Sequence, residues 1–217
     1  MTLIGLFFTS FVVGLSGSLM PGPVTVATIR ESYARGSIAG PLIAAGHSLL
    51  ELPLVIGLAF GLSRLIQQDL VFIIIGTLGG LALLYFGTGM IRDVRERSLT
   101  LEQATQSTAS PAADKPRLMW LGIFWSITNP YWVVWWLTIG ASYILIALDR
   151  GAVGIPIFYF AHILSDILWL SLIAFAIAQG KRIISEKYYR GLIFVCGLFL
   201  VGLAGWFLYT SATTFLG

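Results

Sequence analysis

Charge is scarce in this chain. Only 11% of its 217 residues are Asp, Glu, Lys or Arg, whereas 57% are hydrophobic. Soluble domains contain roughly 25% charged residues, so this chain has too few charges to cover a water-exposed globule. The mean hydropathy of +0.89 argues equally against a disordered chain. The composition predicts an integral membrane protein and argues against a soluble enzyme.

Cysteine is almost absent as well, since Cys196 is the only one in the chain. A single cysteine excludes an internal disulfide and any cysteine-rich metal site. The net charge of only +3 gives no indication of nucleic acid binding, although the pI is about 9.2. We therefore expect no nucleic acid partner and no cofactor.

Six long stretches of the chain contain almost no charge. Each exceeds the roughly 20 residues that a helix needs to cross a bilayer, and their continuous apolar character disfavours a β-barrel. The sequence thus predicts an all-α membrane protein with six transmembrane helices. Glu51 and Asp166 are the only charged residues within these stretches. The predicted spans are 1–29, 36–63, 70–91, 118–148, 151–180 and 191–217.

A polar segment divides the chain into halves. Residues 98–116, SLTLEQATQSTASPAADKP, are mostly small and polar and include two prolines. Such a composition buries too little apolar surface to become ordered, so we expect a flexible loop. It separates a first three-span unit, 1–97, from a second, 117–217.

The basic residues predict the orientation in the membrane. Eleven of the 13 Lys and Arg residues lie in the connectors 30–35, 92–117 and 181–190, whereas the alternate connectors hold two. Cytoplasmic loops carry an excess of Lys and Arg. The 98–116 loop is therefore predicted to be cytoplasmic, with both termini outside.

Two blocks 115 residues apart resemble each other. Arg35–Glu51 reads RGSIAGPLIAAGHSLLE and Arg150–Asp166 reads RGAVGIPIFYFAHILSD, so that Arg, Gly, Pro, His and Leu coincide and the terminal acids align. Each half has an odd number of predicted spans, which gives the two copies opposite orientations in the membrane. Inverted repeats are typical of secondary transporters, whose substrate site lies near the midplane. Chance similarity between two apolar helices is the alternative, which the aligned polar residues weaken.

Both histidines of the chain lie within predicted spans, each four residues before an acid: His47 before Glu51, and His162 before Asp166. This spacing puts both side chains of a pair on one helix face. Ionisable groups at the bilayer centre are costly and mark functional sites, and histidine exchanges protons near neutral pH. The pairs predict a proton-coupling site whose acids also attract a substrate ammonium. Alternatively, each pair satisfies itself and only fixes helix packing.

Prolines interrupt the first predicted span of each half, at Met20-Pro21-Gly22-Pro23 and at Asn129-Pro130. Proline breaks a helix because it lacks an amide donor and clashes with the preceding turn. Exposed backbone at membrane depth is tolerated only where protein covers it or where it lines a cavity. A helix that restarts there points its amides at the gap, which suits a carboxylate. Unless the breaks are passive kinks, substrate binding is predicted at Pro21, Gly22, Pro23, Asn129 and Pro130.

Tryptophans follow the second break at Trp132, Trp135 and Trp136. An indole ring attracts an ammonium group through a cation–π contact, so Trp132 is a predicted substrate-binding residue. Core or lipid contact is the alternative role for these rings.

One short motif suggests an enzyme. Gly14-Leu15-Ser16-Gly17 matches the G-x-S-G pattern of intramembrane serine proteases, in which histidine activates the serine. The match lies in a glycine- and serine-rich first span, whereas the serine helix of those proteases comes later. An intramembrane protease is therefore a distant alternative.

Four features also carry a family resemblance: the Pro21–Pro23 break, the run Gly36…Gly40…Gly46, the Asn129-Pro130 break and the stretch Leu78–Arg92, LGGLALLYFGTGMIR. They resemble the lysine exporter (LysE/RhtB) family of amino-acid exporters. The resemblance extends over the whole chain in length, span layout and loop position. It implies a homo-oligomeric carrier of the inner (plasma) membrane, driven by ion gradients. The His-x-x-x-acid pairs are not a general pattern of those exporters, and related groups move metal ions.

The leading prediction is a secondary transporter and antiporter, not an enzyme, that exports amino acids by proton-coupled alternating access. Two midplane acids suit a basic amino acid such as lysine or arginine. Its expected partners are the amino acid, protons, the lipid bilayer and further copies of the chain. The second prediction is a divalent metal-ion exporter with a mixed N/O site. Its predicted ligands are His47, Glu51, His162 and Asp166.

The predicted topology is testable by cysteine accessibility. In a Cys196→Ser background, a cysteine at Ser107 in the 98–116 loop is expected to react with a membrane-impermeant maleimide in inside-out vesicles. A cysteine at Thr2 is expected to react in intact cells. Labelling of the Ser107 position from the outside would contradict the orientation.

Overall fold

Helices make up most of the part of the chain that the structure describes. The computed structural model describes residues 1–62, 69–96, 111–180 and 186–216, and every regular element within them is a helix, which confirms the predicted all-α class. The π-helical turn Leu58–Leu62 continues α3, the π-helical turn Trp136–Gly140 joins α6 to α7, and a 3-10 turn, Gly151–Val153, precedes α8. The α-helices are α1 (Leu3–Ser18), α2 (Pro23–Arg35), α3 (Ala39–Gly57), α4 (Asp69–Arg95), α5 (Pro111–Ile127), α6 (Pro130–Trp135), α7 (Ala141–Leu148), α8 (Gly154–Gly180) and α9 (Glu186–Leu216).

Long apolar helices correspond to four of the six predicted spans, and a bent helix pair corresponds to another. Four described segments are long and apolar enough to cross a membrane, and the pair α1–α2 passes the same test only when its two helices are taken together. The remaining predicted span, 70–91, lies within the 27 residues of α4. At 1.5 Å per residue α4 is about 40 Å long, more than the hydrocarbon core of a bilayer. The chain is thus a multi-pass membrane protein, while the count of six spans stays a prediction. The other four segments are Ala39–Gly61, Tyr131–Leu148, Gly151–Gly180 and Arg190–Phe215.

The chain breaks at both predicted proline sites. α1 ends at Ser18 and α2 begins at Pro23, with a bend of 78° between the two helices. α5 ends at Ile127 and α6 begins at Pro130. Proline suits the first turn of a helix because an amide there has no intrahelical partner. Pro23 and Pro130 therefore each stand at the first position of the helix that follows the break.

The two halves pack against each other reciprocally. α1 lies against α8, α5 lies against α3, and α4 lies against α9. The first predicted span of each half thus contacts the second span of the other half, and the two third spans pair. Two related repeats produce this exchange of partners. The packing supports the inverted repeat, whose orientation in the membrane stays a prediction.

Glycines allow the backbones of α3 and α5 to touch. A Cβ placed on Gly46 would lie 1.8 Å from the backbone oxygen of Met119, and one on Gly122 would lie 2.1 Å from that of Ile43. Small residues permit this close approach of membrane helices. The contact holds His47, which follows Gly46, at the interface with α5.

The outer surface of the bundle carries large apolar side chains. Such a surface is a liability in water, where exposed apolar patches of this extent are rare, but it is the expected lipid-facing surface of a membrane protein. The side chains that are more than 60% exposed include Ile4, Phe8, Leu78, Phe160 and Trp206.

Contacts join the three basic connectors at one end of the bundle. Arg117 of α5 pairs with Glu31 of α2 at 3.3 Å. Arg190 of α9 donates to the carbonyl oxygen of Val94 in α4. The connectors that were predicted to share the cytoplasmic side are therefore neighbours in space, while the side of the membrane itself stays a prediction.

Most of the predicted loop lies outside the described residues. Residues 98–110 are not described, and α5 already begins at Pro111. The division into units 1–97 and 117–217 therefore stays a prediction.

The glycine contact between α3 and α5 predicts the effect of a single methyl group. Gly46→Ala is expected to destabilise the protein by about 1–3 kcal/mol, because the new Cβ collides with the backbone of α5. Gly202→Ala in α9 is the matched control, since nothing lies within 4 Å of a Cβ there. Thermal unfolding in detergent measures both variants. Equal unfolding midpoints would contradict the contact.

Candidate functional site

Four ionisable side chains meet between α3 and α8. Within the pairs, His47 Nε2 lies 3.0 Å from Glu51 Oε1, and His162 Nε2 lies 3.4 Å from Asp166 Oδ2. Between the pairs, His162 Nε2 lies 3.3 Å from Glu51 Oε2, and His47 Nε2 lies 3.8 Å from Asp166 Oδ2. None of the four residues is more than 8% exposed. The two predicted pairs therefore form one cluster.

Glu51 is the most enclosed acid of the cluster, at 1% exposure. Its Oε1 accepts hydrogen bonds from the indole N–H groups of Trp132 at 2.8 Å and Trp136 at 2.9 Å. Trp136 begins the π-helical turn, and a Cβ on Gly140 at the end of that turn would lie 2.5 Å from the Trp136 ring. The glycine thus makes room for the ring that donates to Glu51. Hydrogen bonds to an ionised carboxylate are among the strong ones in proteins.

His47 is oriented by a serine from the other half of the chain. Its Nδ1 lies 2.6 Å from Ser126 Oγ, and the Ser126 hydroxyl donates to the carbonyl oxygen of Gly122 at 2.6 Å. Because the hydroxyl proton is engaged there, Nδ1 is the donor to Ser126. A neutral ring would then present a lone pair on Nε2 to Glu51, and two facing acceptors repel. The contact of His47 with Glu51 therefore requires a shared proton.

His162 is held by aromatic rings. Trp135 stacks on it with ring centroids 4.7 Å apart and an interplanar angle of 25°. Phe158 is also nearly parallel to it, with centroids 6.1 Å apart, and Trp136 meets it edge-on at 5.0 Å. Asp166, on the next turn of α8, accepts a hydrogen bond from the Ser18 hydroxyl. The imidazole is thereby fixed in place while its nitrogens stay available.

Four buried polar atoms of the cluster have no hydrogen-bond partner among the described residues: Glu51 Oε2, both ring nitrogens of His162, and Asp166 Oδ2. Three of them face one another, since His162 Nε2 lies within 3.4 Å of both acids. Buried polar atoms without partners are rare and call for an explanation, such as an unseen ion or a catalytic role. These atoms are the ones that can bind a proton, an ammonium group or a metal ion.

Two serines complete the site, and sequence reasoning missed both. Ser18 contacts Asp166, and Ser126 contacts His47, so the first span of each half bonds to the second span of the other. A sequence signal exists, because Gly14-Leu-Ser-Gly-Ser18 and Gly122-Ile-Phe-Trp-Ser126 share a Gly-x-x-x-Ser pattern. The two copies of this pattern are 108 residues apart, whereas the His–acid blocks are 115 residues apart. Aligning the halves without gaps at a spacing of 115 therefore does not match the two serines.

The glycines of this pattern lie where helices of opposite halves touch closely. A Cβ on Gly14 would lie 2.9 Å from His162 Nδ1, and a Cβ on Gly122 would lie 2.9 Å from the backbone nitrogen of His47. In each half, the glycine brings the first span against the histidine of the opposite half. The serine one turn later then reaches the buried cluster.

A small cavity of about 60 Å³ lies beside the cluster, between the two helix breaks. The breaks adjoin each other, since a Cβ on Gly22 would lie 3.2 Å from Asn129 Nδ2. Among the predicted substrate-binding residues, Pro21 and Pro23 do not line this cavity, and Pro130 begins α6. Trp132 lines it, with its indole N–H turned to Glu51. The predicted residues that line the cavity are Gly22, His47, Glu51, Asn129, Trp132, His162 and Asp166.

The two breaks differ in what they offer a ligand. At the second break, the Asn129 side chain accepts from the amide of Tyr131 at 3.1 Å and so caps α6 itself. At the first break, the N-cap residue is Gly22, which has no side chain to do so. The first amides of a helix have no intrahelical partner, and Val24 and Thr25 of this turn both line the cavity. The start of α2 is therefore the stronger site for a carboxylate.

Part of the cluster has the geometry of a metal site. Ligand atoms of His47, Glu51 and Asp166 all lie within 4.8 Å of one another. One imidazole and two carboxylates form a mixed N/O set that suits a borderline or hard divalent cation. His162 Nε2, at 3.3 Å from Glu51, is close enough to take part.

The serine of the protease-like motif has no histidine partner. The Ser16 hydroxyl donates to the carbonyl oxygen of Val13 at 2.6 Å and accepts from the Trp135 indole at 3.2 Å. The serine that does contact a histidine, Ser126, is 0% exposed and does not line the cavity. A nucleophile must reach its substrate with an activating base beside it. Neither serine meets both conditions, so the geometry gives the protease alternative no support.

The two indole contacts predict how much stability the protein loses when Glu51 loses a hydrogen-bond donor. Trp136→Phe is expected to destabilise the protein by about 1–3 kcal/mol, because a buried acceptor loses a donor. The same substitution in a Glu51→Leu background, which has no acceptor, is expected to cost less, and this separates the hydrogen bond from loss of ring volume. Trp120→Phe, at a 63% exposed position, controls for loss of an indole. Equal costs in both backgrounds would contradict the interaction.

Comparison with known proteins agrees with the resemblance seen in the sequence. The model of the family described as "LysE type translocator" matches residues 15–211. A Bacillus subtilis (strain 168) protein named "Putative amino acid efflux protein YcgF" is 25% identical over 213 residues, which cover 98% of this chain and 99% of the relative. No solved structure matches the chain significantly. Because the family model spans both helix breaks and all four residues of the cluster, the chain belongs to the LysE type translocator family.

Proposed function

We propose that this protein is a secondary transporter that exports amino acids by alternating access at the His–acid cluster. The observation that carries the proposal is the convergence of four buried ionisable side chains beside two helix breaks. Binding sites between inverted repeats, built from broken helices, are typical of secondary transporters. Family membership and the name of the Bacillus subtilis relative support amino acids as the substrate class.

The cavity offers complementary groups to the two ends of an amino acid. The first amides of α2, at Val24 and Thr25, suit the α-carboxylate. Glu51 and Asp166 suit an ammonium group, and both have an oxygen without a hydrogen-bond partner among the described residues. We infer a basic substrate, lysine or arginine, because the cluster contains two acids. A neutral amino acid has one ammonium group, so the second acid would have to bind a proton instead.

The cavity must expand to take such a substrate. Its volume of about 60 Å³ is sufficient for a few water molecules and too small for lysine. We infer that the helices around the breaks separate to admit the substrate during transport. The two breaks are suitable hinges, because changes of direction in a helix occur at such interruptions.

Protons are the proposed coupling ion. Buried carboxylates need compensating positive charge, which the cluster takes either from protonated His47 and His162 or from a bound cation. Entry of a substrate ammonium therefore favours release of a proton. Export of the cation in exchange for protons, an antiport, follows from this charge balance. We further propose an inner-membrane location, a cytoplasmic middle loop and a homo-oligomeric assembly.

Divalent metal-ion export is the second candidate. The observation that favours it is the cluster of three ligand atoms within 4.8 Å, together with a cavity that is large enough for an ion without rearrangement. In this case His47, Glu51, Asp166 and His162 are ligands, and the ion itself is the transported substrate.

Efflux from proteoliposomes tests the proposed function. We expect an imposed proton gradient to drive efflux of L-lysine from loaded vesicles. Glu51→Gln and Asp166→Asn are expected to reduce the efflux by at least about tenfold, because each removes a charge that the substrate or the proton needs. Asp149→Asn, at an exposed acid, is the matched control and is expected to retain the wild-type rate.

The same vesicles distinguish the two candidates. L-leucine and Mn²⁺ are loaded in parallel, and the three efflux rates are compared. Efflux of Mn²⁺ without efflux of either amino acid would contradict the amino-acid proposal and favour divalent metal-ion export. Unchanged amino-acid efflux in both acid variants would remove the cluster from the mechanism.

A further inference from the structure

A second, larger cavity lies at the end of the bundle that carries the basic connectors. Its volume is about 670 Å³, within the range of small-molecule sites and far larger than the cavity at the cluster. It is formed by α2, α4 and α5, with Leu200 of α9. Three arginines from three helices line it, Arg30, Arg92 and Arg117, together with the aromatic rings of Phe86 and Trp125.

The charged side chains of this cavity differ in the partners that they have. Glu31 pairs with Arg35 and with Arg117 at 3.3 Å. By contrast, the buried Nε of Arg30 has no hydrogen-bond partner among the described residues. A guanidinium group has five donors in a planar fork that matches a carboxylate. The cavity thus offers an anion-binding arginine beside an apolar, aromatic wall.

Neighbouring residues of the chain line the two cavities. At the start of α2, Gly22 and Val24 line the small cavity, whereas Pro23 lines the large one. In α5, Trp125 lines the large cavity, and its neighbour Ser126 contacts His47 of the cluster. The first turn of α2 therefore borders both cavities. It begins at the helix break, where α2 and α1 meet at a 78° bend.

We propose that the large cavity is a second binding site, on the cytoplasmic side, for the free α-amino acid that the protein exports. Arg30 binds the α-carboxylate, and Phe86 and Trp125 contact the side chain. Movement of the first turn of α2 then opens the route to the cluster. The inference rests on the proposed function, because it assigns to the same substrate a place to bind before it is transported.

Protection from cysteine labelling tests this site. Thr88 lines the cavity and is exposed, so Thr88→Cys is made in a Cys196→Ser background and labelled with an impermeant maleimide in inside-out vesicles. L-lysine and L-leucine are the probes. We expect the transported amino acid to slow labelling, and to do so equally in a transport-deficient Glu51→Gln background. Glu96→Cys, in the turn directly after α4 and outside the cavity, is expected to show no protection.

Arg30 variants test the assigned contact. Arg30→Gln is expected to raise the amino acid concentration for half-protection about tenfold, because a charge-assisted hydrogen bond is lost. Arg30→Lys keeps the charge and is expected to restore part of the affinity. If Arg30→Gln does not fold, a shift in Arg30→Lys alone still tests the contact, since lysine lacks the planar fork.

The outcomes separate this site from the proposed function. Normal efflux without protection by the exported amino acid would overturn the site and leave the function intact. Protection that disappears in Glu51→Gln would also overturn it, since the effect would then come from the cluster. Protection by phosphatidylglycerol, but by neither amino acid, would assign the cavity to lipid and overturn the proposal. Absence of efflux together with Arg30-dependent protection would contradict the proposed function and support the site.

Discussion

The structure depends on keeping one carboxylate, Glu51, away from water. A charged group in an apolar interior is stable only when it is paired and hydrogen-bonded, and Glu51 meets this requirement with two indole donors and two imidazoles. These partners come from α6, from the π-helical turn, from α3 and from α8. The acid therefore ties together segments that are distant in sequence. Its Oε2 has an imidazole nitrogen at 3.3 Å but no hydrogen-bond partner among the described residues, which makes the same arrangement receptive to a cation.

Reciprocity between the halves explains how the partners are brought to this point. The glycines Gly14 and Gly122 let the first span of each half approach the histidine of the opposite half, and Ser18 and Ser126 then reach the cluster. Neither half can build the site by itself, because each supplies only one His–acid pair and needs the serine of the other. A site assembled from both halves responds to any movement of one half relative to the other. Alternating access requires this property.

The helix breaks perform two physical tasks at once. They end α1 and α5 where these helices reach the cluster, and they start α2 and α6 with amides that the interrupted helix cannot satisfy. The two breaks are chemically unequal, because Asn129 caps its own helix while Gly22 cannot. The first turn of α2 also contributes residues to the small cavity and to the large one. This short segment therefore borders both cavities, and in the proposed mechanism its movement opens the route to the cluster.

The sequence by itself determined the all-helical class, the membrane setting, the two proline breaks and the two His–acid pairs. These features follow from composition and from spacing along single helices, which short-range geometry fixes. Only the tertiary structure decided that the pairs converge, that Trp132 and Trp136 donate to Glu51, and that Ser18 and Ser126 complete the cluster. It also excluded Pro21 and Pro23 from the lining of the small cavity. These outcomes depend on how helices from opposite halves rotate and approach, which close glycine contacts set and which spacing along one helix does not encode.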